Sequence, residues 1–221
     1  WGILNLDGWW MLLIALVFCT GIINAYNFMD GINGITGGYS IAMLVPLLLA
    51  NRQIGYTDEN FIVVALISVV VFCLFNFRTK ARCFAGDVGS VTIAFIILYF
   101  LGALIIKTGD LWYLAFIVVY GVDSVLTICH RIMLKENITQ PHRKHAYQLM
   151  ANELKLPHVT VSSIYMVAQL IISLGAIYLK VDKWWYFAGV CVVLGVSYIL
   201  FKMKYYHLHE EYLRSKQEAA K

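Results

Sequence analysis

Phe61-Ile-Val-Val-Ala-Leu-Ile-Ser-Val-Val-Val-Phe-Cys-Leu-Phe-Asn-Phe77 is an unbroken apolar run without a charge, a glycine or a proline. It has the length, roughly 17 to 25 residues, that carries a helix across a hydrocarbon core about 30 Å thick. Lipid offers the backbone no hydrogen bonds, so a spanning segment must satisfy its own, and an unbroken run lacks the alternation of a barrel strand. Six more runs of this kind flank it: Gly8 to Ala25, Gly38 to Ala50, Ser90 to Ile106, Leu111 to Cys129, Val159 to Tyr178 and Trp184 to Phe201. The second is short and is expected to extend back into the glycines before it or to thin the bilayer. The chain is 61% hydrophobic and 14% charged, against roughly half and a quarter in soluble domains, which excludes a soluble globular protein. The expected fold class is an all-α polytopic membrane protein with about seven transmembrane helices. Residues 1–201 form the membrane domain, with loops over 26–38, 78–89 and 130–158 and a tail over 202–221.

The loops alternate between two sides, and Lys and Arg concentrate on one of them. Arg78, Lys80, Arg82, Arg131, Lys135, Arg143, Lys144, Lys155, Lys202, Lys204, Arg214, Lys216 and Lys221 fall together, while Arg52, Lys107, Lys180 and Lys183 fall opposite. The basic side is expected to face the cytoplasm, which places the functional loops there. All six histidines share that side. The five cysteines form no C-x-x-C pair and read as small packing residues. Tryptophans and tyrosines near the span ends read as interfacial anchors. The tail after Phe201 reads as a short amphipathic helix on the membrane surface. The basic residues track the lipid surface and match no nucleic-acid motif, so no nucleic-acid partner is expected.

Three acids stand where apolar residues belong. Asp30, Asp87 and Asp123 lie at or within the basic-side ends of spans, where a carboxylate costs a few kcal/mol unless it meets a partner, a cavity or a cation. Asp7, Asp58, Glu59, Asp110 and Asp182 fall in the opposite loops, where water solvates them. Around Asp30, Asn24-Ala-Tyr-Asn27-Phe-Met-Asp30-Gly-Ile-Asn33-Gly-Ile-Thr-Gly-Gly38 breaks a membrane helix with four glycines and three asparagines. Backbone broken at that depth is tolerated around a polar cavity, and glycines let amides point into a pocket, as in phosphate cradles; the plain alternative is a glycine-rich turn with capping asparagines. Around Asp87, Gly86-Asp87-Val-Gly89-Ser90 follows Asn76, Arg78, Lys80 and Arg82. An Asp N-cap is the bland reading, and a Mg2+ ligand the functional one, since Mg2+ takes one or two carboxylates plus substrate phosphates. In the third cluster, His142 and His145 stand three apart, on one face if helical, beside Arg143 and Lys144. It reads as a lipid-attracted basic loop or as a grip on a phosphorylated substrate. Asp123 would orient one of these clusters or pair with a basic side chain.

Taken together, Asn24-x-x-Asn27-x-x-Asp30-Gly31-x-Asn33-Gly34, Gly86-Asp87-x-Gly89-Ser90 and Pro141-His142-Arg143-x-His145-x-Tyr147-Gln148 resemble the polyprenyl-phosphate N-acetylhexosamine-1-phosphate transferases. This is glycosyltransferase family 4, whose members work in bacterial envelope synthesis, and the look is nearest to the branch using undecaprenyl phosphate and UDP-N-acetylglucosamine. The resemblance implies that undecaprenyl phosphate attacks the sugar-linked phosphate of a UDP-N-acetylhexosamine, giving a lipid diphosphosugar and UMP. It implies Mg2+, or Mn2+ in its place, on Asp87, and Asp30, Asp87, His142 and His145 in catalysis. Substrate contacts fall to Asn24, Asn27, Asn33, Asn76 and Arg143. The implied setting is the bacterial cytoplasmic (inner) membrane, multi-pass, with the bilayer as partner and a homodimer compatible with the reading.

This chain departs from the family pattern at three points. Asn33 stands where many members have Asp, His142 and His145 replace a near-consecutive histidine run, and no paired Asp-Asp motif precedes Asn24. The family also has more spans than seven, so the chain is expected to be the C-terminal two-thirds of the family fold and to have little activity alone. An ion-coupled transporter is the first rival, with its site expected near the bilayer midplane. A member that binds nucleotide sugar without chemistry is the second.

Overall fold

The computed structural model describes residues 9–137, 140 and 143–219. The expected Asp7, the first residue of the first run, Gly8, and His142 lie outside them. The helices are α1 (Trp9–Met29), α2 (Ile35–Ile54), α3 (Glu59–Asn76), α4 (Gly86–Thr108), α5 (Val118–Met133), α6 (Ala146–Gln148), α7 (His158–Tyr178) and α8 (Lys183–Ala219). A 3-10 helix, Leu111–Ile117, leads into α5, and a π turn, Leu149–Glu153, follows α6. No strand occurs among the described residues.

Six segments are long and apolar enough to cross a bilayer: Leu12–Met29, Glu59–Asn76, Gly86–Thr108, Leu111–Met133, His158–Tyr178 and Lys183–Tyr212. The remaining expected span is α2, whose 20 residues run back through Gly37 and Gly38, as its short apolar run required. At 1.5 Å per residue it is about 30 Å long. It is less apolar because it is the innermost helix, packed between α3 and α7, so that Thr36, Tyr39, Ser40 and Asn51 are buried against protein. Gly37 lets α3 approach it: a Cβ there would lie 2.5 Å from Cys73 Sγ. By contrast Leu12, Leu16, Val64, Phe95, Ile171 and Val192 point outward and are exposed, as lipid-facing residues must be.

The core holds an aromatic stack. The Tyr39 and Tyr120 rings lie 3.5 Å apart and nearly parallel, with Tyr26 edge-on 5.3 Å from Tyr120. Beside it the fifth span changes from 3-10 to α at Val118, which leaves backbone groups without helical partners inside the membrane. Side chains supply them: Val119 N–H donates to Gln169 Oε1 (3.1 Å) and Tyr120 N–H to the Tyr39 hydroxyl (3.1 Å), while Gln169 Nε2 adds a donor to Ala115 O (2.9 Å), which the Val118 N–H also reaches. Tyr39 in turn donates to Gln169 Oε1 at 2.6 Å.

The tail departs from expectation. It is no separate surface helix: α8 runs unbroken from Lys183 to Ala219, and Lys202 and His209 are buried against the segment before α7. Lys and Arg after Phe201 mark where the helix leaves the bilayer, and nothing there breaks the backbone.

Candidate active site

α1 ends at Met29 and the chain turns through Asp30 to Gly34 before α2 begins. Gly34 holds φ at 85°, a conformation natural to glycine, and its N–H donates to Asn76 Oδ1 at 2.8 Å. Asn76 Nδ2 donates to Cys83 O at 2.8 Å, and Asn33 Nδ2 donates to the carbonyls of Arg78 (3.0 Å) and Thr79 (3.2 Å). Ser162 donates to Asn33 O at 2.7 Å. The structure thus engages Asn33 and Asn76 in tying the Asp30 turn to the loop between α3 and α4.

That tie brings the first two acidic clusters together. Thr36 Oγ1 donates to Asp30 Oδ1 at 2.5 Å, and the Gly86 N–H, at the start of α4, donates to the same carboxylate. Ser90 Oγ donates to Asn27 Oδ1 at 2.6 Å. Burial pushes the Asp30 carboxyl above its ordinary value; the two hydrogen bonds oppose the shift and the nearby Asp87 charge adds to it. Asp87 is not the N-cap: α4 begins at Gly86 with Ala85 as cap, and Asp87 sits exposed in the first turn, where a helix N-terminus favours a carboxylate. Asn24 is exposed on α1 one turn before Asn27. The half-buried Asp30 and the neighbouring exposed Asp87 fit a Mg2+ site completed by substrate phosphates; among the described residues no group of three or more metal-binding side chains occurs. An apolar groove of about 470 Å³ between α2, α3 and α4 ends at Thr36 and Ala85, beside these acids.

The third cluster is built differently from its expected form. Residues 143–145 are not helical; His145 is instead the N-cap of α6, its N–H donating to Gln148 Oε1 at 3.2 Å and its carbonyl accepting the Gln148 N–H at 3.1 Å. It is 2% exposed and its Nδ1 lies 3.3 Å from Asp123 Oδ1. The His145 ring stacks on Tyr147, whose hydroxyl donates to Phe28 O at 2.8 Å, two residues before Asp30. Arg143 is exposed, and its charge acts on Tyr147 against the burial that raises that phenol. Behind the loop, Lys144 pairs with Glu136, Arg131 donates to Glu136 (3.3 Å) and to Asn137 O (2.6 Å), and Lys202 of α8 donates to Lys144 O. His209 Nδ1 meets Glu153 Oε1 at 2.6 Å. All three clusters therefore gather at one end of the bundle, with Asp30, Asp87 and the His145 loop linked through Thr36, Gly86 and Tyr147.

Sequence reading missed Tyr147 as a bridge and Tyr165, Gln169 and Thr127 altogether, and took Lys202 only as one of the basic-side charges. A buried tyrosine inside an apolar run looks like an interface anchor. Gln169, uncharged mid-span, carried the one available signal, because an amide in lipid needs partners.

The fold and site define a polytopic membrane protein with an acidic, asparagine-rich centre at one end of its helices. Residues 1–109, which carry the Asp30 and Asp87 clusters, match the model of Glycosyl transferase family 4. The chain is 30% identical over 188 residues to the Bacillus subtilis (strain 168) protein named "Probable undecaprenyl-phosphate N-acetylglucosaminyl 1-phosphate transferase", covering 80% of this chain and 51% of that one. It is 30% identical over 173 residues to the phospho-N-acetylmuramoyl-pentapeptide-transferase of Thermotoga neapolitana, covering 76% of this chain and 55% of the relative. The same-named protein of Deinococcus radiodurans is 30% identical over 118 residues, 53% of this chain and 33% of its own. The chain spans about half the length of the first two of these curated relatives.

Proposed function

We propose that this chain provides the Asp30–Asp87 centre of a membrane transferase that moves a sugar-1-phosphate from a UDP-N-acetylhexosamine to undecaprenyl phosphate. The observation that carries this is the meeting of the Asn27–Asp30 turn with the Gly86–Asp87 helix start. An oxygen of the lipid phosphate attacks the sugar-linked phosphorus. The bond from that phosphorus to the bridging oxygen breaks, and UMP leaves with the electron pair. Such transfer is chiefly positioning and charge neutralisation. Asp87 and Asp30 would hold Mg2+, or Mn2+, which when bound neutralises charge on the diphosphate. Asn24 and Asn27 contact the nucleotide, and Arg143 offers a fork of donors to a phosphate. Asn33 and Asn76 shape the pocket through the loops they join, and His142 and His145 belong to the basic loop that closes it. An acceptor with a lipid tail needs apolar surface adjoining the acids, and the groove ending at Thr36 is such a surface. On this reading the protein sits in the bacterial cytoplasmic membrane with these loops toward the cytoplasm.

The test is transfer of labelled sugar-1-phosphate from a panel of UDP-N-acetylhexosamines to undecaprenyl phosphate, with and without Mg2+. This chain is compared with the same chain extended upstream to the length of its relatives. Activity from the extended form only is expected, and Asp87→Ala in that form should abolish it; silence from both folded forms overturns the reading. UDP binding without UMP release would instead support a binding-only member.

A further inference from the structure

A carboxylate buried in a membrane span is costly unless it is fully satisfied, and Asp123, 3% exposed in the fifth span, is surrounded by donors. Oδ1 accepts from Thr127 Oγ1 (3.1 Å), from the Ala146 N–H (3.1 Å) and from His145 Nδ1 (3.3 Å), and Oδ2 accepts from the Tyr165 hydroxyl at 2.6 Å. Thr127 spends its proton on Asp123, so the Tyr198 hydroxyl 2.7 Å away donates to Thr127. One carboxylate thereby joins α5, α7, α8 and the start of α6. A carboxylate facing four donors offers lone pairs alone, so Nδ1 of His145 carries the proton. We infer that Asp123 is a positioning residue: it sets the tautomer of His145 and anchors the Ala146 amide, so that Tyr147 reaches the Phe28 carbonyl and the basic loop is held against the Asp30 turn. The inference rests on the transferase reading for its kinetic consequence and on this geometry alone for the tautomer.

Asp123→Asn separates positioning from bulk packing, because the two side chains have one shape but opposite demands. The amide keeps one acceptor oxygen but puts an N–H2 where the carboxylate offered lone pairs, so a facing group must turn to accept: a Tyr165 or Thr127 hydroxyl by rotating, or His145 by moving its proton to Nε2 and accepting through Nδ1. In the N-terminally extended chain, kcat for UMP release should fall on the order of a hundredfold, while KM for the UDP-sugar stays within about threefold. Nitrogen-15 histidine spectra, assigned with His145→Gln, should show the Nδ1–H tautomer in the parent and a reduced share of it in the variant. An Nε2–H tautomer in the parent overturns the inference. So does kcat within about threefold of parent in Asp123→Asn, or kcat, KM and the unfolding midpoint all collapsing with the tautomer unchanged. If the parent releases no UMP, the transferase reading fails by itself, and the tautomer comparison alone decides the role of Asp123.

Discussion

Gly34 and Glu136 show what single residues contribute around this site. The space for a Cβ at Gly34 holds the Phe77 ring, 2.5 Å from the ideal position, and φ is 85°. Gly34→Ala therefore meets both strain, on the order of 1–3 kcal/mol for such a backbone, and a clash. The expected result is a lower thermal midpoint in detergent together with weakened UDP binding, since the same turn carries Asp30. Glu136 is held below its ordinary value: burial pushes it up, but Lys144 and Arg131 outweigh burial. A depressed folded value means its charge stabilises the fold above the unfolded value of about 4.3 and stops doing so as pH falls through the folded one. Hydrogen exchange at the amides of Lys144 to Tyr147 should stay slow from neutral pH down to about pH 5, quicken only below the ordinary Glu range, and be fast at pH 7 in Glu136→Gln. Asp30, Asn27 and Asp87 were legible in sequence because polar groups in apolar runs are expensive. The same asparagines do not announce whether they face a ligand or a loop; Asn33 and Asn76 hydrogen-bond to carbonyls and an amide that become neighbours only after folding.

At the level of elements, the fifth span is the least regular and the most dependent on a neighbour. Gln169 of α7 serves both sides of its 3-10 to α junction. Gln169→Leu leaves the Val119 N–H without its acceptor, at about 1–3 kcal/mol, and takes from the Ala115 carbonyl a second donor beside the Val118 N–H. Thermal unfolding should fall by an amount that Tyr186→Phe, which removes a hydroxyl donating to Ile172 O (2.8 Å), does not approach. Hydropathy predicted this span's existence correctly and could not predict its break, because Leu111 to Val122, on both sides of the junction, carries no charge, and the junction is set by what α2 and α7 offer. The short second run extended into its glycines for the reverse reason: Gly37 and Gly38 are apolar enough to enter lipid and small enough to let α3 approach. A shared helical face for His142 and His145 held only if that stretch was helical; the chain is extended at His145, which caps α6 instead of riding on it, and His142 lies outside the described residues.

Across the whole molecule, alternation of loops between two ends was readable from Lys and Arg alone, and the structure gathers Asp30, Asp87, Arg143 and His145 at the end where those charges lie. The end of α8 was not readable, because hydropathy records solvent and not backbone. Its 37 residues give a rod about 55 Å long, well beyond a hydrocarbon core of about 30 Å. One end is held by Lys183 pairing with Asp110 at 2.6 Å; the far part is clamped through Lys202 and His209 to the segment that carries Lys144 and Glu153. A stiff rod so fastened is a lever arm. A bilayer thickness that tilted it would act on the basic loop beside the acids through those contacts. Turnover by the extended chain should accordingly vary among vesicles of short and long acyl chains, and Lys202→Met, which uncouples the arm from the loop, should flatten that variation.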